Sequence, residues 1–390
     1  MVVASVTERP IPIPQSTVVP IGRGKGERSP SRHLSRRRFS ARLNASVMRL
    51  SSVLLQREIE VHVLSAVSEF IVSLNSGSGA VADMTGLVDV TSRLPLSNLE
   101  YWEHLIRSAF YQAAAQSKPA KWKFWARLPP FPTWIDLCSG DGFKRERTLR
   151  ILSGGAPNRF FLAMVVRRLN DWVPQVRSAA RERLPSIAAA SNPDDVVDVL
   201  CAVLPHWNSW GRSEDEGRQR VLEIASTEAA ARVLKSRLIS GAAGPLASVL
   251  AQVGRSSVLD AHLLQIAGSA IQPSVRAKAY KSLLDGKATW VTGRKWEWTD
   301  MRYCQGHFVP TLGDRPLTKK SPLDETLTAA SSDRSAFVRR VAGEVLIREL
   351  ETLGTSGCKL AAILASDSNL SVSERGKFAL KKLSQKCGSV

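Results

Sequence analysis

The chain has 390 residues, of which 44% are hydrophobic, and 54 Lys and Arg against 35 Asp and Glu give a net charge of +19. That length suits two or three ordinary domains or one elongated array, and the hydrophobic share is that of a folded protein. The five cysteines have no C-x-x-C spacing, the six histidines are scattered, and no apolar run approaches the ~18 residues of a membrane span, so neither a disulfide framework, nor a metal site, nor a transmembrane helix is expected.

Residues 1–50 hold ten basic and two acidic residues, so +8 of the charge lies there and +11 on the remaining 340 residues. A basic excess favours an anionic partner, whether nucleic acid, an acidic protein or a membrane surface. Gly22–Arg42 reads GRGKGERSPSRHLSRRRFSAR. It has too little apolar surface to offset the entropy of ordering, so residues 1–45 are expected to be a disordered basic arm. Three explanations stay open: a phosphate-touching arm through Arg36, Arg37 and Arg38, an organelle transit peptide, or an extension upstream of a start at Met48. The first residues lack a basic stretch followed by an apolar one, so no secretory signal is read there, and scattered, reduced thiols suit a cytoplasmic location.

Residues 46–139 read as an N-terminal helical region. Leu50, Val53, Leu54, Ile59, Val63 and Val67 give a helical stripe, Asn75–Gly79 breaks it, and Leu99–Ala115 starts again. Lys118–Trp134 is expected to be a proline-rich loop, in which Lys121, Trp122 and Lys123 form a basic-aromatic candidate for partner contact. Ile135–Phe143, IDLCSGDGF, resembles the glycine-rich first motif of methyltransferases. That family needs an acid after the next strand, but the next apolar run, Phe160–Val166, ends in Arg167-Arg168. The preferred reading is a turn in which Ser139 or Asp141 caps the next helix.

Three segments align without gaps: DWVPQVRSAARERL (171–184), AIQPSVRAKAYKSLL (270–284) and DRSAFVRRVAGEVL (333–346). Each carries Val-Arg, Ala three residues after the Arg, and Leu seven after it: Val176, Arg177, Ala180, Leu184; Val275, Arg276, Ala279, Leu283; Val338, Arg339, Ala342, Leu346. Steps of three and seven keep these on one helix face. Pro174 and Pro273 fall in the first turn, where a missing N–H costs nothing. Asp171 and Asp333 precede their arginines by six, placing an acid in the inter-helix turn where it is expected to pair with the Arg of the following helix. The middle copy lacks the acid, and SVSERGKFALKKL (371–383) reads as a degraded fourth copy on Arg375, with Phe378 in the place of Ala.

This pattern resembles the second helix of a HEAT repeat. The resemblance covers roughly residues 140–385 and implies an all-α fold: an α-solenoid of HEAT-like helix pairs. The arginine spacings of 99, 63 and 36 then predict two repeats across the first gap, one repeat plus an insertion in the second, and a short terminal repeat. Asp171, Arg177, Arg276, Asp333 and Arg339 are its structural residues.

The insertion, residues 286–320, is rich in tryptophan. Trp296-Glu297-Trp298 alternates, and Thr292-Gly293-Arg294 has turn composition, so a small β-hairpin is expected. Trp290, Trp296, Trp298, Arg294 and Lys295 are candidates for gripping a peptide or stacking on bases; the alternative is that the tryptophans pack on neighbouring helices. His206 has no sequence partner, and Glu214-Asp215-Glu216 reads as a helix start. No catalytic constellation and no cofactor motif stands out.

The expected organisation is therefore an arm (1–45), a helical region (46–139), HEAT-like repeats (140–285), the insertion (286–320) and further repeats (321–390). The resemblance implies a non-enzymatic scaffold holding a protein or an anionic partner in a groove. The alternative is a nucleic-acid-binding relative of the HEAT-like alkylpurine glycosylases, for which Trp172 beside Asp171 is the local cue.

Overall fold

The computed structural model describes residues 54–74, 83–116 and 133–387. The expected arm and the Lys121, Trp122 and Lys123 loop lie outside these residues. The chain divides into two units, residues 1–58 and 59–390. Of the first, residues 54–58 are described and are helical; the other described residues all belong to the second.

The second unit is mostly helical with one two-stranded antiparallel sheet. Its helices are α1 (residues 59–74), α2 (Thr85–Ser92), α3 (Leu99–Gln116), α4 (Gly142–Ile151), α5 (Arg159–Arg167), α6 (Pro174–Ala190), α7 (Pro193–Val203), α8 (Asp215–Ala225), α9 (Glu228–Ser240), α10 (Leu246–Val253), α11 (Leu263–Ser269) and α12 (Pro273–Asp285). Strands β1 (Lys287–Asp300) and β2 (Gln305–Pro316) come next, then α13 (Leu323–Ser331), α14 (Ala336–Arg348), α15 (Leu350–Ala365) and α16 (Leu370–Cys387). None of the described helices is long and apolar enough to cross a membrane.

Many helices pack on the second one along the chain: α4 on α6, α6 on α8, α5 on α7, α7 on α9, α10 on α12, α12 on α14, α14 on α16, and α13 on α15. Val176, Ala180 and Leu184 on α6 are fully buried, as are Val275 and Ala279 on α12 and Val338, Ala342 and Leu346 on α14. Their alanines sit where a neighbouring helix comes close, so a larger side chain there would meet packed atoms. Pro174 and Pro273 are each the first residue of their helix.

The arginines on this face share one contact. Arg177 donates to the carbonyl of Asp171 at 3.0 Å, Arg276 to that of Ala270 at 2.8 Å, and Arg339 to that of Asp333 at 2.8 Å, each six residues back. Long helical side chains lean toward the N-terminus, which brings the guanidinium over the preceding turn. The acids do not pair as the sequence suggested. Asp171 forms a bidentate pair with Arg145 of α4, and Asp333 with Arg276 of α12, so each acid joins the earlier helix rather than the following one. Asp171 and Asp333 also accept the N–H two residues on, from Val173 and Ser335, at the entry to the following helix, while the arginine of that helix reaches the acid's backbone carbonyl instead of its carboxylate.

Two further differences concern register. Between α6 and α12 stand both α8 and α10, so the 99-residue gap holds three helix steps and not two. In α16 the residue that packs closely is Gly376: a Cβ there would lie 2.2 Å from the backbone nitrogen of Ala365. The aligned residues are therefore Val372, Ser373 and Gly376, while Arg375 pairs with Glu344 and Phe378 is exposed. Ile135–Phe143 contains no strand, in keeping with the turn and helix cap read from its sequence. It is a 3-10 turn, Trp134–Cys138, followed by the start of α4, where Asp141 accepts the N–H of Phe143 at 2.9 Å. Glu214 is the residue before α8, as its acidic run suggested.

Candidate interaction site on the hairpin

The insertion is a hairpin of two strands with fourteen and twelve residues. Its turn is Met301–Cys304, not Thr292-Gly293-Arg294. The latter lies inside β1 at a bulge between Val291 and Gly293, where the extra residue re-aims the strand. The unpaired residue of the bulge is Thr292, with Gly293 paired to Thr311 beside it.

The hairpin is tied to the helices at its base. The carbonyl of Val291 accepts from Asn208 Nδ2 at 2.8 Å and from Gln252 Nε2 at 3.0 Å, and Lys278 Nζ donates to the Thr289 carbonyl at 2.6 Å. Arg315 makes a bidentate pair with Asp260, which also accepts the N–H of Thr318. Burial would raise the Asp260 carboxyl; the hydrogen bonds from Arg315 and Thr318 outweigh it and hold the group below its ordinary value. Arg255 lies between two indoles, 5.0 Å from the Trp207 ring and 5.5 Å from that of Trp290. Burial, then the charge of Arg218, pushes the Arg255 guanidinium below its usual value, and cation–π attraction offsets part of that cost. Trp290 is thus an anchor, half-buried against the helices. Trp207, fully buried, is the other half of the clamp; sequence reading of His206–Trp210 gave it no role, and an isolated HWNSW run offers no signal that would.

Beyond the bulge the arrangement changes. In the cross-strand register Arg294 faces Pro310, Trp296 faces Phe308 and Trp298 faces Gly306, so Arg294, Trp296, Trp298 and Phe308 share one side of the sheet. Trp296 meets Trp298 edge-on at 5.5 Å and Phe308 at 5.0 Å. A Cβ on Gly306 would come within 2.6 Å of the Trp296 ring, and one on Gly313 within 2.7 Å of Trp290 Nε1. Each glycine is the bare backbone over which an indole lies, which supports a ribbon that two strands alone would barely hold.

The cluster is open to solvent: Trp296 is 41% exposed, Trp298 54%, Phe308 62% and Leu312 65%. Among the described residues, the ring contacts of Trp296 and Trp298 run within the hairpin, whereas Trp290 meets Arg255 of the helical part. Charge on the hairpin is mostly self-compensated. Lys287 pairs with Asp314, Lys295 with Glu297, Arg302 with Asp300 at 3.9 Å, and Arg315 with Asp260. Among the described residues Arg294 is the one hairpin lysine or arginine without a carboxylate partner.

A second polar cluster lies away from the hairpin. Glu103 on α3 is ringed by Arg107, Arg167 and Arg168, and Asp171 by Arg145 and Arg168. Burial alone would raise both carboxyls; the surrounding arginines, with the Val173 N–H on Asp171, hold them below the ordinary carboxylate range. Every carboxylate here is matched by a guanidinium, the pattern of a tie between helices. Burial pushes the neighbouring Cys138 thiol up to about 12. Among the described residues no group of three or more His, Cys, Asp or Glu is placed to hold a metal ion.

No family model matches the chain, and no curated protein is significantly similar to it.

Proposed function

We propose that this chain is a HEAT-like α-solenoid that holds a macromolecular partner rather than catalysing a reaction, and that the hairpin is its contact element. Three regularities support the solenoid reading. Many helices pack on their second neighbours, Arg145, Arg276 and Arg339 each reach an acid in a later turn, and the mean spacing is similar along the chain. Arg145 to Arg177 is 32 residues; Arg177 to Arg276 is 99, an average of 33 over the three helix pairs α7–α8, α9–α10 and α11–α12; Arg276 to Arg339 is 63, or 33 once the 30 residues of the hairpin are set aside. Such repeats put insertions on a binding side.

The observation that carries the functional reading is the solvent-facing aromatic cluster of Trp296, Trp298 and Phe308. A contiguous apolar surface exposed to water is unfavourable unless a partner covers it, and aromatic anchors dominate such contacts. Affinity capture from lysate, with and without nuclease, tests the reading. A nuclease-resistant partner supports a protein-holding scaffold. Nuclease-sensitive retention favours the alternative that the +19 charge suggests, a nucleic-acid binder.

A further inference from the structure

We propose that the hairpin takes an acidic peptide, bound in extended form along β1, with apolar side chains on Trp296, Trp298 and Phe308 and a carboxylate on Arg294. The inference rests on the reading of the hairpin as the contact element and names its partner class. Three observations lead to it.

The first is the edge of β1. At the base, side chains of Lys278, Asn208 and Gln252 already satisfy the carbonyls of Thr289 and Val291. Past the bulge the polar contacts of β1 run within the hairpin, and the strand holds no proline over its fourteen residues. Pro310, opposite Arg294, takes one N–H donor from β2. An unblocked strand edge is a template for another extended chain, which adds backbone hydrogen bonds while alternate side chains reach one face.

The second is that face. Arg294, Trp296 and Trp298 alternate on one side of β1, so an extended segment along it would meet a cation and then two indoles in order, with Phe308 of β2 beside the first indole on the same side of the sheet.

The third is charge, which selects among occupants. A second copy of this chain would bring another +19 against the first. A nucleic-acid strand or an anionic lipid surface would need several free cations along the strands, whereas among the described residues of the two strands and their turn Lys287, Lys295, Arg302 and Arg315 are engaged with carboxylates and Arg294 is not. An acidic peptide needs one site for a carboxylate, and the net positive field steers it in.

The test is to pan a displayed library of random dodecapeptides on the full-length chain, with Trp296→Ala/Trp298→Ala as counter-selection. Recovered peptides are then synthesised and their affinities measured by fluorescence anisotropy. Circular dichroism and thermal melting verify that the variants fold. The expected result is a set of peptides with net negative charge and alternating apolar residues, recovered on the parent chain and lost on the variant, whose affinity falls at least tenfold in Arg294→Glu. Recovery of neutral or basic peptides, peptides indifferent to the tryptophans, an Arg294→Glu effect under twofold, or no peptide at all would overturn the proposal. If lysate capture still depends on Trp296 and Trp298 in that case, the peptide class fails and the contact element stands; if it does not, both fail.

Discussion

Arg276 and Asp333, 57 residues apart, are joined by two hydrogen bonds of 2.8 and 2.9 Å with both side chains buried, while the same guanidinium holds the carbonyls of Ala270 and Ile271. This one pair ties α12 to the turn before α14 across the whole hairpin insertion. Removing one partner leaves a buried charge without its counter-ion, which costs about 3–5 kcal/mol. Asp333→Ala should therefore lower the chemical denaturation midpoint strongly. The double variant Arg276→Met/Asp333→Leu should recover part of the loss, because neither charge is then stranded. A shift under ~1 kcal/mol for the single variant would contradict the role given to this pair.

Two glycine substitutions should have opposite signs. Gly376→Ala forces a Cβ to within 2.2 Å of α15 backbone and should destabilise by about 1–3 kcal/mol. Gly268→Ala on α11 meets nothing within 4 Å and should stabilise by about 0.5–1 kcal/mol through helix propensity. Ala180→Trp should behave like the first, since Ala180 is fully buried on α6. Thermal melts give the signs directly, and a stabilising Gly376→Ala would remove the close approach of α16 to α15.

The carboxylates predict an acid limit. Arg339 first, then the Asn369 N–H, lower Asp367 against its desolvation; Glu103 and Asp171 are lowered by their arginines despite burial. Groups whose folded values lie below their unfolded ones stabilise fully above the ordinary carboxylate range, near pH 4, and lose that stabilisation as pH falls through the depressed values. The melting temperature should be level from about pH 7 to 5 and drop steeply below about 4. A chain as stable at pH 3 as at pH 7 would refute it.

Thiol reactivity should divide by exposure. Burial pushes Cys138 to about 12 and Cys201 to about 11, whereas Cys304 and Cys358 are exposed. In a Cys387→Ser background, a disulfide-exchange reagent at pH 7.5 should titrate two thiols quickly and two more only after denaturation. Rapid labelling of Cys138 would mean that the cluster around Glu103 opens readily.

How far the sequence reaches depends on whether a residue's job is local. Val176, Ala180 and Leu184 are legible because helix period and burial coincide on one element. Arg145 makes the same kind of tie as Arg276, yet Lys144 and Thr148 stand where Val and Ala would mark it, so no alignment finds it. Arg375 misleads in the other direction: an arginine near the expected place draws the register two residues off, while the close contact falls on Gly376. The acids Asp171 and Asp333 lie in the expected turns, but which helix they join is set by tertiary approach, which spacing does not encode. The hairpin was legible from alternation at Trp296 and Trp298. Its turn was not, since Met301–Cys304 lacks glycine and Cys304 takes a positive φ of 51°, while glycine marks the bulge.

Whether partners are held through the hairpin is tested most directly by amide hydrogen exchange on the chain with and without its captured partner. Exchange should slow across residues 294–310 when the partner is bound, and the Trp296→Ala/Trp298→Ala variant should show neither capture nor slowing. Protection confined to the helices, with exchange in 294–310 unchanged by the bound partner, would contradict a contact through the hairpin.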